Sequence, residues 1–207
     1  SLFCFLILAG IYAFCLNKLI FIPAGISAFI FGYTYFFLRI PTRKVTQDEN
    51  IIYASADGYV FAIEENVKAP AYIDQPVHKV VIFMHVASVH WNYSPMEGKI
   101  GFLDYKKGLF KNVIKPSAWD VNEHLLIGME NDKNKTKILI SLIAGLIARR
   151  IRFFREKDSY VGQGERFGLI KYGSANTLYL PASEFEIVAK KGQKTRATQT
   201  IIAKRIK

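Results

Sequence analysis

The chain has 207 residues, 51% of them hydrophobic, with 28 Lys and Arg against 17 Asp and Glu and a formal net charge of +11. That is one domain's worth of chain with enough apolar content for a sizeable core, which excludes disorder, a collagen-like repeat and, with only two cysteines, a disulfide scaffold. The mean hydropathy of +0.14 is high because the apolar residues are unevenly spread: Lys18 is the only charge in residues 1–38.

Taken in chain order, Leu2 to Leu16 is an uncharged apolar run and Leu19 to Leu38 a second. About 20 apolar residues cross a bilayer core, so the second run qualifies and the first is slightly short, as a span truncated at Ser1 would be. Asn17-Lys18 reads as a polar turn between them, and Pro23 suits the first turn of the second helix. Arg39, Arg43 and Lys44 follow, and basic flanks favour the cytoplasmic side. The expectation is a transmembrane helical hairpin over residues 1–38 and a globular domain over 39–207, on the cytoplasmic side of the cell (inner) membrane. Cys4 and Cys15 lie in the apolar head and say little about redox compartment.

From residue 45 onward, short runs rich in β-branched and aromatic residues recur between glycines. They include Tyr59 to Ile63, Lys79 to Met84, Lys99 to Leu103, Phe167 to Tyr172 and Thr177 to Leu180. Such a pattern predicts a mainly β (α+β) globular domain of short twisted strands. Ile138 to Ala148 is apolar but too short to span a bilayer. It reads as a buried strand running into the basic segment Arg149 to Arg155, and Glu130 to Lys137 reads as an exposed loop. Arginines interleaved with phenylalanines suit either a solvated strand end or an anionic lipid surface. No nucleic-acid motif accompanies them, so no nucleic-acid partner is expected.

Gly162 to Gly168 approaches a nucleotide-loop pattern but opens a strand rather than a helix, and is set aside. His78, His85 and His90 fit no standard ligand spacing and have no cysteine nearby, so no metal site is expected. Three patterns remain: Ser55-Ala56-Asp57-Gly58, Val89-His90, and Tyr172-Gly173-Ser174-Ala175-Asn176. Singly, each is a turn, a structural histidine or a loop. Together, Asp, His and Ser are the parts of a base-activated nucleophile, although spacing alone cannot bring them together.

From Arg39 to Ala203 the chain resembles the phosphatidylserine decarboxylases, in particular their short, membrane-anchored type. The matching stretches are Arg39-Ile-Pro-Thr-Arg43, Ala56-Asp57-Gly58-Tyr59-Val60, Val89-His90-Trp91-Asn92, Pro95-Met-Glu-Gly98 and Tyr105-Lys-Lys-Gly108. Asn122-Glu123-His124, Ala144-Gly145, Ala148-Arg149-Arg150-Ile151, Gly164-Glu-Arg-Phe-Gly168, Gly173-Ser174, Leu178-Tyr-Leu-Pro181 and Lys191-Gly192-Gln193 complete the set. The order and spacing of so many blocks make the resemblance specific. It departs in two places. Ala175-Asn176 stands where the short type carries a basic residue after Gly-Ser, and His124 stands where the family often has Arg after Asn-Glu.

The resemblance implies a self-processing enzyme that converts phosphatidylserine to phosphatidylethanolamine and CO₂. Its cofactor would be a covalent pyruvoyl group made from Ser174 by cleavage between Gly173 and Ser174. It further implies His90 as the base that deprotonates Ser174, Asp57 as the carboxylate that orients the imidazole, and a Schiff base between substrate amine and pyruvoyl carbonyl. The partners implied are phosphatidylserine, the membrane bilayer and the chain's own two fragments, which stay associated; homo-oligomers are compatible with it. Competing readings are a non-catalytic membrane-anchored β domain, a decarboxylase of a related serine phospholipid, and one acting on a soluble amino acid.

Overall fold

In a computed structural model, the described residues are 2–145, 150–170 and 174–206; the side chains of 2–5, 8, 9, 14–20 and 174 are not among those described. The chain divides into two compact units, residues 1–39 and 40–207.

The first unit holds one helix, α1 (Leu2–Phe37), 36 residues long. The expected hairpin is not there. Asn17 and Lys18 continue the helix, since a polar pair without proline or glycine lacks the means to break a hydrogen-bonded ladder. Pro23 falls inside the helix rather than in a first turn. Apolar side chains such as Phe21, Ile22, Phe29, Phe31 and Tyr35 are exposed along it. Among the described residues, no helix is long and apolar enough to cross a membrane, so the transmembrane hairpin is withdrawn.

The second unit is mainly β, as the short runs predict. Its strands are β1 (Ile51–Tyr53), β2 (Gly58–Val67), β3 (Val77–Met84), β4 (Trp91–Tyr93), β5 (Gly98–Lys106), β6 (His124–Glu130) and β7 (Lys137–Ala144). They continue with β8 (Ile151–Phe153), β9 (Tyr160–Val161), β10 (Arg166–Ile170), β11 (Ser174–Pro181), β12 (Phe185–Ile187), β13 (Lys194–Thr195) and β14 (Ile201–Arg205). Eight of them form one sheet in the order β13-β2-β3-β11-β7-β6-β5-β9, and two three-stranded sheets, β1-β14-β12 and β4-β10-β8, complete the fold. Every pairing between these strands is antiparallel, which short connections allow.

The apolar run from Ile138 does not carry through to the basic segment. β7 stops at Ala144, residues 146–149 lie outside those described, and Ile151–Phe153 is a separate strand paired with β10. Its alternation explains the Arg/Phe interleaving: Phe153 packs edge-on against the buried Phe167, while Arg152 is exposed. Residues 131–136 form the loop read at Glu130 to Lys137, with Asn131 and Thr136 buried.

The main core lies on one face of the large sheet, where Ile82 and Met84 of β3, Leu142 and Ala144 of β7 and Leu178 of β11 meet Ile52, Phe167 and Ile202. The reverse face carries a smaller cluster of Val81, Ile143 and Ala175 capped by Val113 and Trp119. Gly58 opens β2 against the Phe83 carbonyl, where a Cβ would overlap the oxygen, so the turn after Asp57 needs glycine for close approach.

Candidate active site

β11 is the structural centre of the site. It lies between β3 and β7, and its first residue, Ser174, pairs with Met84 on one side and Ala144 on the other. Gly173, and with it the other half of the predicted scissile bond, lies outside the described residues. Two positions along β11, Asn176 is fully buried in register with Ile82 and Leu142.

A buried amide among apolar neighbours must find partners or cost about 1–3 kcal/mol. Asn176 finds them on two segments distant in sequence. Ser55 donates its hydroxyl to Asn176 Oδ1 at 2.6 Å, and Asn176 Nδ2 donates to Asn92 Oδ1 at 2.9 Å. Asn92 Nδ2 in turn donates to the His90 carbonyl at 3.1 Å. Ser55, His90, Asn92 and Asn176 are all buried without measurable exposure. One run of donors therefore joins the three sequence patterns, Ser55–Asp57, His90–Asn92 and Ser174–Asn176, and such chains strengthen their members.

His90 is oriented from below. Its Nδ1 lies 2.8 Å from the Ser88 carbonyl oxygen. A carbonyl only accepts, so Nδ1 carries the hydrogen, and in the neutral imidazole Nε2 holds the lone pair. Ile170 N donates to the His90 carbonyl at 3.2 Å, which ties the end of β10 to the same residue.

Asp57 is engaged elsewhere. Both carboxylate oxygens meet the Arg43 guanidinium at 2.6 Å, and Ala197 N donates to Oδ1 at 2.8 Å. Arg43 also donates to the Ala197 carbonyl at 2.8 Å. The orienting bond at Nδ1, expected from Asp57, is thus made by the Ser88 backbone. Asp57 instead clamps the Ser55–Gly58 turn to the 195–198 segment. Arg43, read in the sequence as a membrane-orienting charge, is the largely buried partner of this pair. Beside it, burial pushes the Tyr93 phenol up, and the Arg43 and Arg166 charges offset part of that rise.

The other histidines stand apart from this network. His85 is exposed, with Ala87 N donating to its Nδ1. His124 is buried, pairs with Ile143 and sets Nδ1 against the Asn122 carbonyl at 2.8 Å. Ile143 is opposite Ala175, so His124 takes the alternate register position to the Asn176 row. Among the described residues, no group of three or more metal-binding side chains comes together.

The residues that sequence reasoning missed are Ser55, Asn92 and Asn176 as a network, the Ser88 carbonyl, and Arg43 as an ion-pair partner. The available signal was polar residues at inward positions of otherwise apolar strands.

A family model of phosphatidylserine decarboxylase matches residues 30–203. The phosphatidylserine decarboxylase proenzyme of Carboxydothermus hydrogenoformans is 34% identical over 198 residues, covering 96% of this chain and 88% of that protein. The proenzyme of the same name from Pelagibacter ubique is 39% identical over 84% of this chain and 80% of its own length. That of Wolbachia pipientis wMel is 40% identical over 82% and 74%. This chain belongs to the phosphatidylserine decarboxylase family. It is accordingly a carboxy-lyase, and the stretch matched by the family model includes Ser174 and His90.

Proposed function

We propose that this chain is a proenzyme that cuts itself between Gly173 and Ser174 and then decarboxylates phosphatidylserine to phosphatidylethanolamine. The observation that carries the reading is the buried donor chain from Ser55 through Asn176 and Asn92 to His90, which spends four polar groups on holding the Ser174 strand against the histidine. In this reading His90 Nε2 takes the Ser174 hydroxyl proton while Oγ attacks the Gly173 carbonyl carbon. His90 passes that proton to the Ser174 nitrogen as the Gly173–Ser174 C–N bond breaks and an ester forms. Loss of the Ser174 α-proton expels the Gly173 carboxylate. The unsaturated end then exchanges ammonia for water to become a pyruvoyl group.

Ser174 supplies the three-carbon skeleton of that group and water its keto oxygen, and Ser174 opens a strand held on both sides by β3 and β7, so the residues present fit it. The pyruvoyl group supplies an electron sink for the departure of CO₂. In each turnover His90 Nε2, protonated from solvent, delivers a proton to the substrate α-carbon that CO₂ has left. Asp57 works as a positioning carboxylate: through Arg43 and Ala197 it holds the turn whose Ser55 begins the donor chain.

The two fragments remain associated in this reading. Fragment 174–207 carries β11, paired with β3 and β7, β13, paired with β2, and β14, paired with β1, and each of those partners is a strand of fragment 1–173. Because the diacyl chains of the substrate stay in the bilayer, the domain acts at a membrane surface, on the cytoplasmic side of the cell membrane.

Mass spectrometry of the purified protein tests the proposal. Wild type runs as fragments 1–173 and 174–207, whose masses sum to ~1 Da above the precursor, because ammonia is exchanged for water. Ser174→Ala stays a single chain and releases no CO₂ from phosphatidylserine. A folded wild-type chain that stays uncut would sink the reading in favour of a non-catalytic domain.

A further inference from the structure

Residues 107–121, between β5 and β6, form a loop with two opposed sides. Val113 and Trp119 are buried in the reverse-face cluster with Val81, Ile143 and Ala175, and Trp119 Nε1 donates to the Val113 carbonyl at 2.8 Å. The base of the loop is welded. Leu109 N donates to the Val121 carbonyl at 2.8 Å, and Glu123 N donates to the Leu109 carbonyl at 3.0 Å. Gly108 passes so close to Val121 and Asn122 that a Cβ would come within 2.5 Å of backbone atoms. Asn122 accepts from Lys111 N and donates through Nδ2 to the carbonyls of Lys111 and Ala144, each at 2.8 Å. Ala144 is the residue paired with Ser174.

On the outward side this braced loop exposes Leu109 by 53%, Ile114 by 49% and Val121 by 41%. A scattered apolar side chain on a surface needs no explanation, but three on one rigid loop do. Lys106, Lys107, Lys111 and Lys115 alternate with them along the chain, all exposed, with Asp120 the one acid between Tyr105 and Val121. Among the described residues Lys107, Lys111 and Lys115 make no ion pair, and Lys106 meets only Asp104, at 3.7 Å.

We infer that this loop docks the domain on an anionic phospholipid surface beside the cleavage strand, with Leu109, Ile114 and Val121 entering the acyl boundary and the four lysines meeting the headgroups. The inference rests on the proposed lipid substrate, whose own headgroup is anionic. The charge of the loop fits such a surface, where each basic residue favours binding by roughly fivefold. Exposed aliphatic side chains interspersed with exposed lysines match the division between acyl chains and headgroups. The Asn122–Ala144 bond ties the docked loop to the residue paired with Ser174, so the start of the cleavage strand stands next to the docked segment.

The test uses the full chain with Cys4→Ser and Cys15→Ser, an environment-sensitive fluorophore on Ile114→Cys, and a control with the fluorophore on Lys133→Cys. Vesicles are phosphatidylcholine alone or mixed with phosphatidylglycerol, an anionic lipid that is not a substrate, each carrying acyl-chain nitroxides. The expected result is several-fold stronger quenching at 114 than at 133, on the anionic vesicles only and falling with added salt. Lys111→Glu with Lys115→Glu should lower that quenching on the order of tenfold or more while leaving self-cleavage and turnover of short-chain, monomeric phosphatidylserine unchanged. Equal quenching at 114 and 133 overturns the inference, as does quenching indifferent to lipid charge. A concentration-dependent dimer lost in Leu109→Ser with Ile114→Ser, without lipid quenching, assigns the loop to a second copy and overturns it too. A chain that docks as described yet never cleaves or decarboxylates leaves the docking standing and sinks the proposed function instead.

Discussion

At one register row of β11, Asn176 is buried and spends its amide on Ser55 and Asn92. One residue back, Ala175 sits on the other face in an apolar cluster with Val81, Ile143 and Trp119. The two faces solve the same burial problem by opposite means. The apolar cluster on the reverse face excludes water with side chains that, Trp119 Nε1 apart, ask for no hydrogen-bond partner, and its contribution is ordinary packing. The Asn176 face takes polar groups out of water and recovers the cost only while every donor has its acceptor. A fold needing only stability would use apolar residues on both faces. The difference teaches that the Asn176 face is arranged for geometry: it fixes the start of β11 against the His90 loop to within hydrogen-bond tolerance. Histidines stand on both sides of this divide, each held at Nδ1 by a carbonyl two residues earlier, Ser88 for His90 and Asn122 for His124.

The sharpest break of this comparison is His90→Asn. Asparagine Nδ2 reaches about as far as imidazole Nδ1, so it keeps the donor to the Ser88 carbonyl and removes only the ring's other nitrogen. Self-cleavage should slow by about 10²–10⁴-fold, the usual worth of a general base, while the fold survives. The reading is a time course of intact mass beside a circular dichroism melt. A variant that cuts itself at the wild-type rate would remove His90 from the role.

Next comes a crossed pair of substitutions, one on each face. Asn176→Leu keeps the number and branching of the heavy atoms but leaves Ser55 and Asn92 facing an apolar group, at about 1–3 kcal/mol of stability. Its larger effect should be on cleavage rate, down by one to two orders of magnitude (~10–100-fold), since ~1 Å of misplacement is costly to a reacting pair. Trp119→Ala should cost about 3–5 kcal/mol through the cavity it leaves. The fraction that stays folded should cleave at close to the wild-type rate. Equal effects of the two on rate per folded molecule would erase the distinction between the faces.

Arg43→Met probes the clamp beneath the polar face. It leaves Asp57 charged, largely buried and dependent on Ala197 N alone. Breaking such a pair costs about 3 kcal/mol, and Asp57→Asn added to it should recover most of the loss by removing the stranded charge. Chemical denaturation of the four proteins in the cycle measures this directly. A double variant no more stable than Arg43→Met alone would show that the arginine acts through packing instead.

How much of this was legible in the sequence follows the range of the interactions. β3, β5 and β11 announce themselves through β-branched runs, and the family blocks point to Ser174, His90 and Asp57. The three-residue strands β1, β4, β8 and β12 are too short for a period to show, and tertiary pairing alone defines them. α1 runs through the expected turn because apolar composition reports burial preference and says little about where a helix ends; Asn17-Lys18 carries neither proline nor glycine to stop it. Within the site, Arg43 meets Asp57 across 14 positions and Ala197 across 154, contacts that no local pattern encodes. The Ser88 carbonyl, as a backbone atom, leaves no mark in the sequence at all.

The smallest expected effect belongs to His124→Asn. His124, at the start of β6, is buried as His90 is, and it stands in one of the family's blocks, which makes it the natural substitute base. Its register argues otherwise. It pairs with Ile143, which pairs with Ala175, so three adjacent strands place it on the reverse-face row rather than with Asn176. The substitution retains a donor for the Asn122 carbonyl and removes a few ring atoms, a change worth about 1 kcal/mol in stability. Cleavage should proceed within about twofold of wild type, against the losses of two or more orders of magnitude in His90→Asn. Two substitutions of the same chemistry, at histidines held by the same kind of carbonyl bond, then differ only in the face of the sheet. A His124→Asn chain that fails to cut itself while melting like wild type would mean that the reverse face takes part in the chemistry, and the division between the two faces would fall.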